Sequence, residues 1–152
     1  LKNLIYLLVI GLIFFLDRAT KIKMLKHQLS SVDSRIFVND YLNFELTWNT
    51  GIGFGLLNLE AGLIYNLISI LIFFIILVII YLLIQSESVD GFFYSLIIGG
   101  AIGNLYDRAI FFAVPDFIDF HINNYHWFTF NIADIFITIG VIIFFIKFNK
   151  SK

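Results

Sequence analysis

Cysteine is absent from the 152 residues, and proline occurs once, at Pro115. Without cysteine there is no disulfide, no thiolate metal ligand and no cysteine nucleophile. Charge is scarce too: 14% of residues are charged and the formal net charge is -1, so no basic patch exists to neutralise the phosphates of a nucleic acid. Histidine is limited to His27, His121 and His126, which lack the His-Glu-x-x-His spacing of a metalloprotease helix. No metal site is expected on that ground. Ser69 and Ser95, the serines inside the apolar stretches, have no neighbouring lysine or histidine to activate them, which argues against a serine hydrolase.

What the chain has instead is apolar residues, 60% of the total, with a mean hydropathy of +0.92. That exceeds the roughly half expected of a soluble domain and predicts one integral membrane domain. A window of about 19 residues picks out candidate spans at about 4–22, 62–84, 91–109 and 130–148. The run from Leu63 to Ile84 carries no charge at all. In the first, Asp17-Arg18 stands where a signal-peptide cleavage site would need small residues, so this span is expected to be retained. The third contains Gly99-Gly100-Ala101-Ile102-Gly103, small residues that let membrane helices approach closely.

Two longer connections separate the spans. Residues 24–61 mix Phe, Leu and Trp with Asn and Asp, and Phe44, Leu46 and Trp48 alternate with Glu45 and Thr47, which predicts short strands. Residues 110–129 are rich in aromatics and carry His121, Tyr125, His126 and Trp127, a composition suited to the membrane boundary. Four spans put both termini on one side and both connections on the other. The count of lysine and arginine alone points weakly to the connections facing the cytoplasm.

Polar residues cluster toward the connection-bearing end. Asp17 and Lys21, four apart, share a helix face and can pair. Asn49-Thr50-Gly51 begins a glycine-rich stretch that reads equally as a turn or as backbone open to a ligand. Asn104, Asp107 and Arg108 lie on one helix face, where an Arg–Asp clamp tying loop to helix is the plainer reading. Asn131 suits a helix N-cap, which accounts less well for Asp134 three residues on. Asp116 follows the lone proline, and Asp119 reads as a loop carboxylate in water.

A central carboxylate opposes membrane insertion by roughly 2.5–3.5 kcal/mol, so Asp116 and Asp134, both near spans, are candidates for a functional pair. Two neighbouring carboxylates cannot both ionise cheaply; one keeps a proton while the other acts as a base. That suits water attack on a peptide carbonyl. A proton-coupled transporter also uses membrane carboxylates, although its site usually lies near the bilayer midplane. A purely structural membrane protein, its polar clusters holding helices together, is a third reading.

In order, Asp17-x-x-x-Lys21, Asn49-Thr50-Gly51-x-x-Phe54, Gly103-Asn104-x-x-Asp107-Arg108, Val114-x-Asp116-Phe117 and Phe130-Asn131-x-Ala133-Asp134 closely resemble the lipoprotein signal peptidases, or signal peptidase II. The resemblance covers almost the whole chain and implies a membrane all-α bundle of four transmembrane helices with a small extracytoplasmic β-rich insertion, about 24–61, between helices 1 and 2. It implies an aspartic endopeptidase of the bacterial cytoplasmic membrane, with both termini cytoplasmic and the 110–129 loop outside; apart from the resemblance, a monomer is expected. Its substrates would be diacylglyceryl prolipoproteins met within membrane lipid, cut just before the lipidated cysteine. Asp116 and Asp134 would be the catalytic dyad. Asn49, Gly51, Asn104, Arg108 and Asn131 would position substrate or dyad, with Asp17, Lys21 and Asp107 as structural support. No cofactor is implied. The chain departs from the family in having Gly53 where alanine commonly precedes the phenylalanine.

Overall fold

An apolar run without proline can satisfy its backbone polar groups internally only as helix. The protein, seen in a computed structural model that describes residues 2–31, 33–51, 62–86, 88–123 and 125–150, does so wherever such a run occurs. Among the described residues the helices are α1 (Lys2–Ser30), α2 (Leu63–Gln85), α3 (Ser88–Phe111) and α4 (Ile132–Lys150). At 29 residues, α1 extends well past the span anticipated at 4–22. At 1.5 Å per residue it is about 43 Å long, more than the roughly 30 Å of a hydrocarbon core.

Among the described residues two stretches, Tyr65–Gln85 and Ile132–Lys150, are long and apolar enough to cross a membrane. Their side chains face outward almost throughout, with large residues such as Leu67, Leu71, Phe74 and Phe145 exposed. In α1 and α3 the charged residues Asp17, Lys21, Asp107 and Arg108 are all turned inward. The molecule thus has its polar groups inside and much of its apolar surface outside, the reverse of a soluble domain.

Helix α3 packs against each of the other three helices. Its glycines make this possible. A methyl group at Gly99 would lie 2.9 Å from Ile13 Cβ, and one at Gly100 would lie 2.5 Å from the Ala133 carbonyl oxygen. Because that obstruction is α4 backbone, Gly100→Ala is expected to overpack the α3–α4 seam and cost about 1–3 kcal/mol, read as a lower melting temperature in detergent. A melt unchanged from wild type would show that the seam can open without penalty.

The strands are β1 (Ile36–Asn39), β2 (Leu42–Asn49), β3 (Val114–Ile122) and β4 (Tyr125–Phe130), forming one antiparallel sheet in the order β1-β2-β3-β4. Here the structure corrects two sequence expectations. Residues 110–129 are not a simple loop, since they supply half of the sheet, and the sheet is therefore no insertion confined to 24–61. The two connections join through β2–β3 pairing, with Asn43 opposite Asp119 and Asn49 opposite Val114.

A register shift between Phe44 and Thr47 also breaks the expected alternation. Burial falls on Asn43, Leu46 and Asn49, while Trp48 stays exposed. The bulge rotates Asn49 inward, as bulges commonly re-aim a side chain. Phe112 (φ 54°) lies in the left-handed region. It turns the chain sharply from the end of α3 into β3 at a cost of about 1–2 kcal/mol for a non-glycine residue. Beneath the sheet, Met24, Leu46, Phe117 and Ile118 form a buried cluster that fastens it to α1.

Candidate active site

Asp116 and Asp134 come from different elements, β3 and the first turn of α4, yet line the same cavity of about 230 Å³ together with Asn49, Asn104 and Arg108. Both are buried, at 2% and 8% exposure. Asn131 links them. Its Nδ2 donates to Asp116 Oδ1 at 2.6 Å. Its backbone N–H donates to Asp134 Oδ2 at 3.1 Å, and its Oδ1 accepts the Asp134 N–H at 3.0 Å.

Those last two bonds form a reciprocal capping box at the start of α4. The N-cap role foreseen for Asn131 therefore extends to Asp134, which sequence reasoning had left poorly explained. One Asp134 oxygen serves the cap, and the other accepts from Asn104 Nδ2 at 2.8 Å. Asp116 is held on both sides, since Asn49 Nδ2 donates to its second oxygen at 2.9 Å. Burial, and then the nearby Asp134 charge, push Asp116 up to about 7, against the opposing pull of the Asn49 and Asn131 amides. Asp116 therefore retains a proton far above the usual carboxylate range.

Behind this pair lies a buried ionic network. Lys21 Nζ donates to Asp17 at 2.8 Å, to Asp107 at 2.7 Å and to Asn104 Oδ1 at 3.0 Å. Lys21, Asp17 and Asp107 are all fully enclosed, at 0% exposure. The anticipated i, i+4 pair is thus present but forms only part of the network. Asp17 also reaches across to accept the Ala133 backbone N–H at 3.1 Å, tying α1 to the first turn of α4.

Asp107 and Arg108 each tie α3 to another element, though not as one Arg–Asp pair. Asp107 turns to α1, where Arg18 lies 2.6 Å from its carboxylate and stacks its guanidinium on Tyr106, 5.0 Å from the ring centroid. Arg108 turns the other way, donates to the Gly51 carbonyl and sits 5.3 Å from the Tyr65 ring centroid. Gly51 in turn donates its N–H to Asn49 Oδ1 at 2.9 Å. Arg108 therefore steadies the end of β2 that carries Asn49. Of the glycines in that motif only Gly51 is among the described residues; Gly53 and Phe54 lie outside them.

Two residues were misjudged from sequence. Arg18 entered only beside Asp17, as a pair unfit for signal-peptide cleavage, and in the count of positive charge, because nothing local announces a partner 89 positions away. Asp119 is no solvated loop carboxylate: it is buried in β3 at 4% exposure and paired with His126 Nδ1 at 2.8 Å. The i, i+2 alternation of Asp119 with His121 was the available signal.

Comparison with known proteins bears on this arrangement as a whole. Residues 9–150 match the sequence profile of a family described as Signal peptidase (SPase) II. A lipoprotein signal peptidase of Pelagibacter ubique is 46% identical, over 100% of this chain and 94% of that protein. One from Anaplasma phagocytophilum is 41% identical, over 94% and 90% respectively. Two crystal structures, each described as a bacterial membrane enzyme determined by the in meso method, superpose with TM-scores of 0.80 and 0.76 at 28% identity. They cover 96% and 97% of this chain, and this chain covers 88% and 94% of them. With the profile running through every element that lines the cavity, from Asn49 to Thr138, the chain belongs to the signal peptidase II family.

Proposed function

We propose that this protein is an intramembrane aspartic endopeptidase that removes the signal peptide of diacylglyceryl-modified prolipoproteins just before the lipidated cysteine. The observation that carries the reading is the convergence of Asp116 and Asp134 on one cavity, with Asn131 bonded to both. Family membership supplies the substrate class, and the outward-facing apolar surface supports a site reached from the bilayer. The four helices are read as four spans, with both termini cytoplasmic and the sheet over the extracytoplasmic end. The protein acts as a monomer and needs no cofactor.

In this mechanism one aspartate takes a proton from water as the water attacks the scissile carbonyl. The other donates its proton toward the carbonyl oxygen, so a tetrahedral intermediate forms without an acyl-enzyme. Asn49, Asn104 and Asn131 hold the carboxylates in register, and the Asn49–Gly51–Arg108 corner braces the wall of the cavity against the substrate backbone. A loop-borne sheet above the site limits access of bulk water.

Cleavage of a purified diacylglyceryl prolipoprotein in detergent, followed by gel shift and product mass, tests the proposal. Product ending just before the modified cysteine is expected; no cleavage of a verified lipidated substrate by folded protein overturns it. The pH profile tests the shared proton. With Asp116 raised to about 7, the proton stays on the pair as pH rises toward neutrality and leaves above it, after which both carboxylates are ionised and the acid is lost. At low pH both are protonated and the base is lost. A bell with its alkaline limb at about pH 7 is expected, its apparent values belonging to the pair. A rate still rising through about pH 9 would remove the protonated carboxylate from the mechanism.

A further inference from the structure

The β3–β4 hairpin carries a second cluster of ligand-type side chains that the cleavage reaction does not use. His121 and His126 face each other across the antiparallel pair, and Asp119 lies two residues before His121 on the same strand. Their rings stack, 5.3 Å between centroids and 25° between planes. Asp119 contacts His126 Nδ1 at 2.8 Å and lies 3.6 Å from His121 Nδ1. One nitrogen or oxygen from each of the three residues falls within 4.8 Å of the others.

Two buried atoms here lack hydrogen-bond partners among the described residues. One is His121 Nδ1, in a side chain that is 9% exposed and belongs to a residue that is 7% exposed. The other is Oδ1 of Asn43, the residue opposite Asp119 on β2. A buried imidazole nitrogen left without a hydrogen bond while facing a carboxylate is expensive unless something is bound there. All of these atoms can donate an electron pair to a cation.

We propose that Asp119, His121 and His126 form a binding site for a divalent transition-metal ion of the zinc class. Two imidazoles and one carboxylate make a donor set of borderline softness, suited to Zn²⁺ or Co²⁺ and not to the all-oxygen shells of Mg²⁺ or Ca²⁺. Ligand atoms around tetrahedral zinc sit about 3.3 Å apart given bonds of about 2.0 Å. The present separations, 2.8 and 3.6 Å from Asp119 to the two Nδ1 atoms and up to 4.8 Å across the cluster, bracket that spacing. His126, 46% exposed in its side chain, gives an ion access from solvent. Bound there, the ion clasps β3 to β4. It takes no part in peptide hydrolysis, and the site shares no residue with the proposed dyad. Judging histidines against a helical metalloprotease spacing misses it, because it is strand pairing that brings His121 to His126.

The test is titration of chelator-treated protein in detergent with Zn²⁺ by calorimetry and with Co²⁺ by visible absorption, for wild type, His126→Ala and His121→Ala. A single saturable equivalent is expected in wild type, with a Co²⁺ ligand-field band and a rise in melting temperature on adding Zn²⁺. Affinity is expected to weaken about tenfold or more in each variant, with the band and the thermal shift lost. His126 is exposed enough for its replacement to fold, which the metal-free melt verifies. Absence of saturable binding in wild type, or undiminished binding by folded His126→Ala, overturns the proposal.

Discussion

Asp116→Asn and Asp134→Asn are each expected to reduce cleavage of a lipidated precursor by about a thousandfold or more, equivalent to about 4 kcal/mol of transition-state stabilisation at 1.36 kcal/mol per decade. General acid–base groups contribute about 10²–10⁴ each, and a dyad that shares one proton loses base and acid together when either member can no longer ionise. The double variant is therefore expected to be no slower than either single one, as found for groups that act as a unit. Stability separates the two positions. At Asp134 both oxygens accept hydrogen bonds, from the Asn131 backbone and from Asn104 Nδ2. An amide there turns one acceptor into a donor and costs about 1–3 kcal/mol. At Asp116 the same loss arises against Asn49 or Asn131, but it is smaller, because a carboxyl that keeps its proton up to about 7 is already neutral like the amide that replaces it. That variant is expected to melt close to wild type while remaining inactive. Either folded variant cleaving at more than about a tenth of the wild-type rate would take its residue out of the dyad.

How much of this could be read in advance depended on sequence separation. The Asp17–Lys21 pair was visible because a helix brings positions four apart together, and the Asn131–Asp134 box obeys the same local rule at three apart. The glycines of α3 were equally plain, since only close helix contact explains three of them within an apolar span. Contacts between distant segments were not legible. Asp107 has Arg108 next to it in sequence, yet its partners are Lys21 and Arg18 on another helix. That choice is made by packing: α3 presents Asp107 to α1 and leaves Arg108 facing Gly51 and Tyr65. The union of both connections into one sheet was hidden for the same reason, because β2–β3 pairing joins segments more than sixty residues apart. Alternation in β2 misled locally, since it cannot foresee a bulge that turns Asn49 toward Asp116.

The second large effect is expected at Lys21, which touches neither aspartate of the dyad. Lys21→Met leaves Asp17 and Asp107 enclosed at 0% exposure, with Arg18 as the remaining counter-ion, 3.3 Å and 2.6 Å away. Removing one partner from a buried ionic cluster costs about 3–5 kcal/mol because the charge left behind is uncompensated. Against a total stability of about 5–15 kcal/mol, such a loss endangers the fold at physiological temperature. The exposed Arg35–Glu45 pair is equally short, at 2.7 Å, yet its side chains are 48% and 35% exposed. Arg35→Ala is expected to leave the melting temperature close to that of wild type, so burial and not bond length decides the difference. Adding Asp17→Asn to Lys21→Met removes one of the stranded charges while an amide oxygen can still accept the Ala133 N–H. The double variant is therefore expected to melt above Lys21→Met alone, which gives a coupling energy in a double-mutant cycle. Simple addition of the two losses would mean that Lys21 and Asp17 do not act as a pair. Cleavage should follow stability in this series, because Lys21 holds Asn104, and Asn104 holds Asp134. A variant that melts like wild type but cleaves slowly would instead place Lys21 in control of the carboxylate itself.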